Sequence, residues 1–122
     1  MSAFTDEENA YLDDQRLGRL ATVAGTKPHV VPVGFHHEID DGTIHIGGRN
    51  FGASKKFRDA ERNPHVAFVV DDLASTDPWR PRGIEIRGHA ETFTEDGEHL
   101  GPGFDAAWMR ITPERIVSWG ID

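Results

Sequence analysis

The candidate anion ligands of this sequence crowd into one segment, Gly47-Gly48-Arg49-Asn50-Phe51-Gly52-Ala53-Ser54-Lys55-Lys56, where a strand-like pattern gives way to a helical one. A glycine-rich turn that opens a helix presents backbone N–H groups without partners and the positive end of the helix dipole. Arg49, Ser54 and Lys56 can add guanidinium, hydroxyl and ammonium donors to a bound phosphate, with Lys55 beside them. Basic residues also line exposed helix faces as a rule, so the spacing by itself reads equally well as a solvated helix start.

Other chemistries have less behind them. Of the seven histidines, His29 and His37 share one face of a strand read over 29–37, His36 lies on the other, and His45 comes from the returning strand. A cross-hairpin pair such as His36 and His45 is part of a metal site at most, because catalytic zinc normally takes three protein ligands and no third one stands at a suitable spacing. No metal is expected. Ser2, Ser54, Ser75 and Ser118 all lack a Gly-x-Ser-x-Gly elbow. Carboxylates are plentiful, and none form a pair singled out for glycoside chemistry. Trp108 and Trp119 read as core or interface anchors, whereas Trp79, in a proline-containing stretch, is harder to place in a core.

The elements that must position these residues are mostly strands. Thr5-Asp6-Glu7-Glu8 has the form of a capping box opening a short helix to about Gln15. Arg19 to Val23 reads as a strand stopped by Gly25 and Pro28, and 29–37 as a second, with Asp40-Asp41-Gly42 as hairpin turn before a returning strand at 43–48. From Phe51 to Asn63 the period becomes helical, and Pro64 ends it. His65 to Val70 is an apolar strand, 71–81 a loop carrying Trp79, and Ile84, Ile86, Gly88 and Ala90 alternate with Glu85, Arg87, His89 and Glu91 in the clearest period-two segment. A turn at Glu95-Asp96-Gly97 and the stretch Gly101-Pro102-Gly103 precede a short apolar piece around Trp108, and a last strand covers 115–119. About six strands with two or three short helices point to a mainly β fold, an antiparallel barrel or sandwich.

With 122 residues, the chain suits one domain over 1–122. Thirteen Lys and Arg against 21 Asp and Glu leave a formal charge of −8, which disfavours nucleic acid as a partner. No apolar run reaches the roughly 20 residues of a membrane helix, and Met1 to Glu8 lack the basic start and apolar stretch of a signal peptide. A cytoplasmic location is expected. Cysteine is absent, so disulfides, thiolate metal sites and cysteine nucleophiles are out.

The order of motifs resembles the pyridoxamine-phosphate-oxidase-like split β-barrel family, specifically its branch of small actinobacterial enzymes that use the deazaflavin coenzyme F420. The segments that carry the resemblance are Arg19-Leu20-Ala21-Thr22-Val23, Pro28-His29-Val30-Val31-Pro32-Val33, Ser54-Lys55-Lys56 with Arg62-Asn63-Pro64-His65-Val66, Arg82-Gly83-Ile84-Glu85-Ile86-Arg87-Gly88-His89-Ala90-Glu91, and the end from Arg110 to Gly120. It implies an FMN-binding-like split β-barrel, a homodimer with two cofactor sites at the subunit interface, and hydride transfer between the deazaflavin and an unsaturated small molecule. Carried over by position, Arg49, Ser54 and Lys56 would hold the cofactor phosphate, with Lys55 as neighbour, and Val31, Pro32 and Val33 would meet the ring largely through backbone. Trp79, Arg82, Arg87 and the 110–119 tail would complete the pocket from the other subunit. His36, His37 or solvent would deliver the proton. Relatives often carry a bulky aromatic after the Pro-Val pair where this chain has Gly34, which opens space for a substrate or shifts the ring. FMN on the same fold is the alternative cofactor, and a non-catalytic carrier of the cofactor or another planar ligand the alternative role.

Overall fold

The computed structural model describes residues 3–121. Helix α1 (Asp6–Asp13) precedes strands β1 (Leu17–Ala24), β2 (Lys27–Gly34), β3 (His36–Glu38) and β4 (Thr43–Gly47). A 3-10 turn (Phe51–Ala53) leads into α2 (Lys55–Arg62), and β5 (His65–Thr76), β6 (Trp79–Phe93) and β7 (Trp108–Trp119) follow, with a second 3-10 turn (Gly97–Leu100) between the last two. All seven strands join one antiparallel sheet in the order β2-β1-β5-β6-β7-β4-β3. The sheet curls until β2 touches β4, making an incompletely closed barrel. Leu20, Val33, Ile44, Ile46, Phe68, Val70, Ile84, Ile86, Met109 and Ile111 fill its interior, with Phe51, Phe57 and Ala60 packed in from α2 and the turn before it.

Local rules account for the ends of the helices. The Thr5 hydroxyl accepts from the Glu8 amide at 3.1 Å while Glu8 accepts from the Thr5 amide at 2.9 Å, a complete capping box. The segment read as one helix from Phe51 is two pieces, because Ser54 takes an extended conformation and caps α2. No described helix is long and apolar enough to cross a membrane.

Long-range pairing overrides the local reading in three places. The strand expected over 29–37 breaks at Phe35, whose ring turns in against Phe68, centroids 5.3 Å apart. β2 and β3 then lie on opposite edges of the sheet, so His29 and His37 stand on different strands. Pro28 stands inside β2 rather than before it, as an edge strand allows. The loop expected over 71–81 is instead a continuation of the β5–β6 hairpin, held by cross-strand ion pairs: Arg19 to Asp71 at 2.7 Å and Arg82 to Asp72 at 2.7 Å. Finally, the apolar piece at Trp108 and the strand at 115–119 are one strand, β7. A register shift opposite Arg87 and Gly88 leaves Glu114 unpaired and accommodates Pro113.

Candidate functional site

Helix α2 lies against β1 and β6, fastened by an aspartate that faces inward. Asp59 is 6% exposed and accepts from the buried Thr22 hydroxyl at 2.9 Å and from the Lys55 ammonium at 3.2 Å. Burial alone would raise the Asp59 pKa, but the hydrogen bonds from Thr22 and Lys55, with Lys55 and His29 nearby, hold it below the usual aspartate value. Thr22 pairs with His29 across the β1–β2 ladder, so α2 is anchored two residues from Val31 along β2.

The cations of the junction part company in three directions. Lys55, Arg58 and Arg62 line a groove of about 600 Å³ between α2 and the β1–β2 turn at Val23, Ala24 and Gly25. Arg58 also donates to the Ala53 carbonyl at 2.7 Å, which closes the helix start. Lys56 points elsewhere, its ammonium 5.2 Å from the centre of the Phe51 ring. Desolvation lowers its pKa, and among the described residues no carboxylate pairs with it. Arg49 leaves the helix altogether and lies against Gly103, where a β-carbon would meet its guanidinium at 3.5 Å.

Ser54 has a narrower part than its position suggested. Its hydroxyl donates to the Phe51 carbonyl at 2.6 Å and accepts from the Phe57 amide at 3.3 Å, so its one proton is committed to building the cap. What the helix start still offers an anion is the first-turn amides of Lys55 and Lys56, which have no intrahelical acceptor, and the Lys56 ammonium.

Among the described residues, β2 borders the sheet with one backbone edge unpaired by any strand. Val33 is buried in the core, Val31 is half-buried against it, and Pro32 faces out opposite Arg19. Such an edge can give hydrogen bonds to a planar ring through its main chain. Trp79 is not in this neighbourhood: 67% exposed, it stands at the tip of the β5–β6 hairpin. The strand from His65, next to α2, to Thr76 spans roughly 35 Å. Within one chain, Trp79 and the α2 junction do not meet.

A second cavity, of about 410 Å³, opens on another part of the barrel, between the end of α1, residues 34–37, β4 and the segment from the second 3-10 turn to β7. Here three histidines gather that the sequence showed only as scattered. His36 faces His45 across β3 and β4 with ring centroids 6.1 Å apart, and His45 packs on Trp108 at 5.0 Å. His37 is nearly inaccessible, its Nδ1 3.0 Å from Asp13 Oδ1. Among the described residues no three His, Cys, Asp or Glu come together as a metal-binding group. The Asp41-x-Thr43-x-His45 alternation, which puts Thr43 and His45 on one face of β4, was the sequence signal for this cluster.

The pyridoxamine 5′-phosphate oxidase family model matches residues 4–119, nearly the whole chain. The chain belongs to that family. Among its relatives, a 5a,11a-dehydrotetracycline/5a,11a-dehydrooxytetracycline reductase of Streptomyces rimosus is 46% identical over 120 residues, covering 98% of this chain and 84% of the relative. A conserved hypothetical protein of Mycobacterium tuberculosis shares the fold with a TM-score of 0.75 at 21% identity, covering 98% of this chain and 86% of that one. An FAD-binding protein of Mesorhizobium loti has a TM-score of 0.73 at 20% identity, covering 94% of each chain. The curled seven-stranded sheet is thus the split β-barrel of this family.

Proposed function

We propose that the chain is an oxidoreductase that binds the deazaflavin coenzyme F420 and transfers a hydride between it and an unsaturated small organic substrate. The Streptomyces relative, a reductase of a dehydro compound, supports the reaction class. The structural observation that carries the reading is Lys56, a desolvated ammonium with no carboxylate partner among the described residues, in the first turn of α2, whose first amides are unpaired. A cofactor phosphate would supply the missing counter-charge and favour the protonated amine. When bound, the deazaflavin supplies the hydride chemistry, so the protein needs no nucleophile of its own.

The chain's residues then bind, orient and protonate. Lys56 and the α2 amides hold the phosphate, Ser54 fixes the helix start that presents them, and the open edge at Val31, Pro32 and Val33 meets the ring. The glutamate tail of the deazaflavin would run along the groove lined by Lys55, Arg58 and Arg62. Of the sequence candidates for proton delivery, His37 is committed to Asp13, with a side chain 2% exposed, whereas His36 is 57% exposed, lines the second cavity and has Glu38 at 3.4 Å. His36 is therefore the donor in this reading. Leu17, Val30 and Val117 expose apolar side chains at 49%, 64% and 38% on the barrel exterior, which supports burial against a second copy in a homodimer. In such a dimer Trp79 would reach the cofactor from an element far from α2, and Arg49 from beside Gly103.

FMN is the second reading, favoured by the FAD-binding protein that shares the fold. Titration of cofactor-free protein with each compound, followed by ring fluorescence at fixed salt, separates them. Tighter binding of the deazaflavin supports the proposal, preference for FMN moves the protein to flavin chemistry, and binding of neither removes the enzyme assignment. Sedimentation velocity on the same samples reads the dimer.

A further inference from the structure

Two prolines fix which main-chain groups β2 turns outward. Proline has no N–H, so in an edge strand it occupies positions whose N–H side faces away from the neighbouring strand. Pro28 and Pro32 pair with Val23 and Arg19 in an antiparallel register that runs unbroken from Lys27 to Gly34. Each residue of such a ladder directs its N–H and C=O to one side, and successive residues alternate. Residues 28, 30, 32 and 34 therefore point these groups off the open edge, while 27, 29, 31 and 33 spend theirs on β1. Proline removes the donors at 28 and 32. The edge is left with two N–H groups, those of Val30 and Gly34, and neither donates to any other group among the described residues.

Gly34 is the donor with a cavity in front of it. It lines the cavity of about 410 Å³ between α1 and β4, and a glycine can line a cavity only with main-chain atoms. Gly34 is exposed, so that main chain is open to a bound molecule. β4, which β2 touches across the split in the barrel, forms the far side. A β-carbon at Gly34 would have only the Arg16 carbonyl oxygen within 4 Å, at 3.8 Å, and the backbone there has no positive φ, so neither crowding nor strain calls for glycine. Leaving out the side chain keeps the approach to the N–H clear. The other walls are mostly apolar, from Leu12, Phe35, Leu100 and Phe104, with the exposed His36 imidazole among them.

We infer that the Gly34 N–H is a carbonyl-binding donor, hydrogen-bonded to the oxygen of a flat α,β-unsaturated carbonyl compound seated in this cavity. Calling that compound the substrate rests on the oxidoreductase reading above; the binding itself does not. Gly34 directly follows the segment proposed to meet the cofactor ring, so a compound held there stands next to the ring. Donation to its oxygen draws electron density from the conjugated double bond and makes the β-carbon a better hydride acceptor, and an N–H fixed in the strand does so without reorganising. An analogue without the carbonyl leaves the N–H unpaired and binds less well.

The test uses the whole protein without cofactor, so its outcome is separate from any preference for deazaflavin or FMN. In amide hydrogen exchange, Gly34 should exchange freely and Val31 and Val33 slowly. Coumarin, a flat unsaturated lactone, and 2H-chromene, which lacks the carbonyl, are then titrated and followed in the ¹H–¹⁵N spectrum. Coumarin should move the Gly34 amide proton downfield and bind about tenfold more tightly than 2H-chromene, the size of one such hydrogen bond. Gly34→Pro deletes this N–H and no ladder bond, so it should fold and lose the preference, while Gly34→Ala, which keeps the N–H, should retain it. Should Gly34→Pro not fold, the exchange and the shift of the Gly34 amide in the unaltered protein decide. A Gly34 amide protected in the free protein, one that coumarin leaves unmoved, equal affinity for the two compounds, no binding of either, or a preference that survives Gly34→Pro would each overturn the inference.

Discussion

Thr22→Val removes one hydroxyl and keeps the shape, which makes it a clean probe of how α2 is held. Thr22 is fully buried and gives its proton to Asp59, which has Lys55 as its other hydrogen-bond donor. A hydrogen bond to a charged group contributes about 1.5–3 kcal/mol. At about 4 °C per kcal/mol for a chain of this length, the variant should melt roughly 6–12 °C lower at neutral pH. Because Asp59 titrates below its ordinary value of 3.8 in the folded protein, its stabilisation is present above that value and is lost as the pH falls through the folded pKa. Removing the Thr22 donor raises the folded pKa, so the variant should lose stability at neutral pH and begin acid unfolding at a higher pH. In strong acid, with Asp59 protonated in both states, the gap between variant and parent should shrink. Thermal melts and urea titrations across pH, with Thr22→Ser as the control that restores the hydroxyl, read all of this. A loss under about 0.5 kcal/mol, no larger than an ordinary surface substitution, or one that does not change with pH, would refute the account of α2.

Lys56→Met should weaken cofactor binding by about 1.5–3 kcal/mol in the fluorescence titration. In the parent, affinity should fall as the pH rises through the lowered pKa of Lys56, and the variant should lack that fall over the same range. Gly97→Ala should destabilise by about 1–3 kcal/mol in urea, since its β-carbon would stand 2.3 Å, 2.8 Å and 2.9 Å from the Asp105, Ala106 and Ala107 carbonyl oxygens, main-chain atoms with little room to retreat. Tyr11→Phe should loosen α1 from the β5–β6 hairpin, because the phenol donates to Asp72 at 2.8 Å and Asp72 grips Arg82 at 2.7 and 2.9 Å. Arg82, with Tyr11, lowers the Asp72 pKa, so Arg82→Ala should bring acid unfolding on at higher pH in a circular-dichroism titration.

Elements whose determinants lie within a few residues were legible in the sequence. The Thr5–Glu8 box closes within one turn, Gly42 supplies the positive φ of 71° that the hairpin needs, and the alternation from Ile84 to Ala90 marks a strand with one buried face. The extension of β5 and β6 was not, because a segment with Asp71 and Asp72 becomes a strand only when Arg19, 52 residues earlier, and Arg82 arrive to pair with it. The break at Phe35 likewise depends on Phe68. At the site, the clustering of cations was plain and their division was not. Adjacent positions on a helix point apart by roughly 100°, so Lys55 faces the groove and Lys56 the Phe51 ring, and only the fold brings Gly103 to Arg49. The histidine cluster had a local signature in Asp41, Thr43 and His45.

The segment from the second 3-10 turn to β7 is tied down largely by main chain: the Gly97 amide donates to the Ala106 carbonyl at 2.8 Å, the Asp105 amide to the Gly48 carbonyl at 2.9 Å, and the Gly52 amide to the Asp105 carboxylate at 2.9 Å. None of these bonds uses the side chain of Leu100 or Phe104, the two residues this segment sends into the cavity. Their identities are thus largely released from the task of holding the segment in place. Descendants of this chain can therefore exchange them and reshape what the cavity admits while keeping the same barrel.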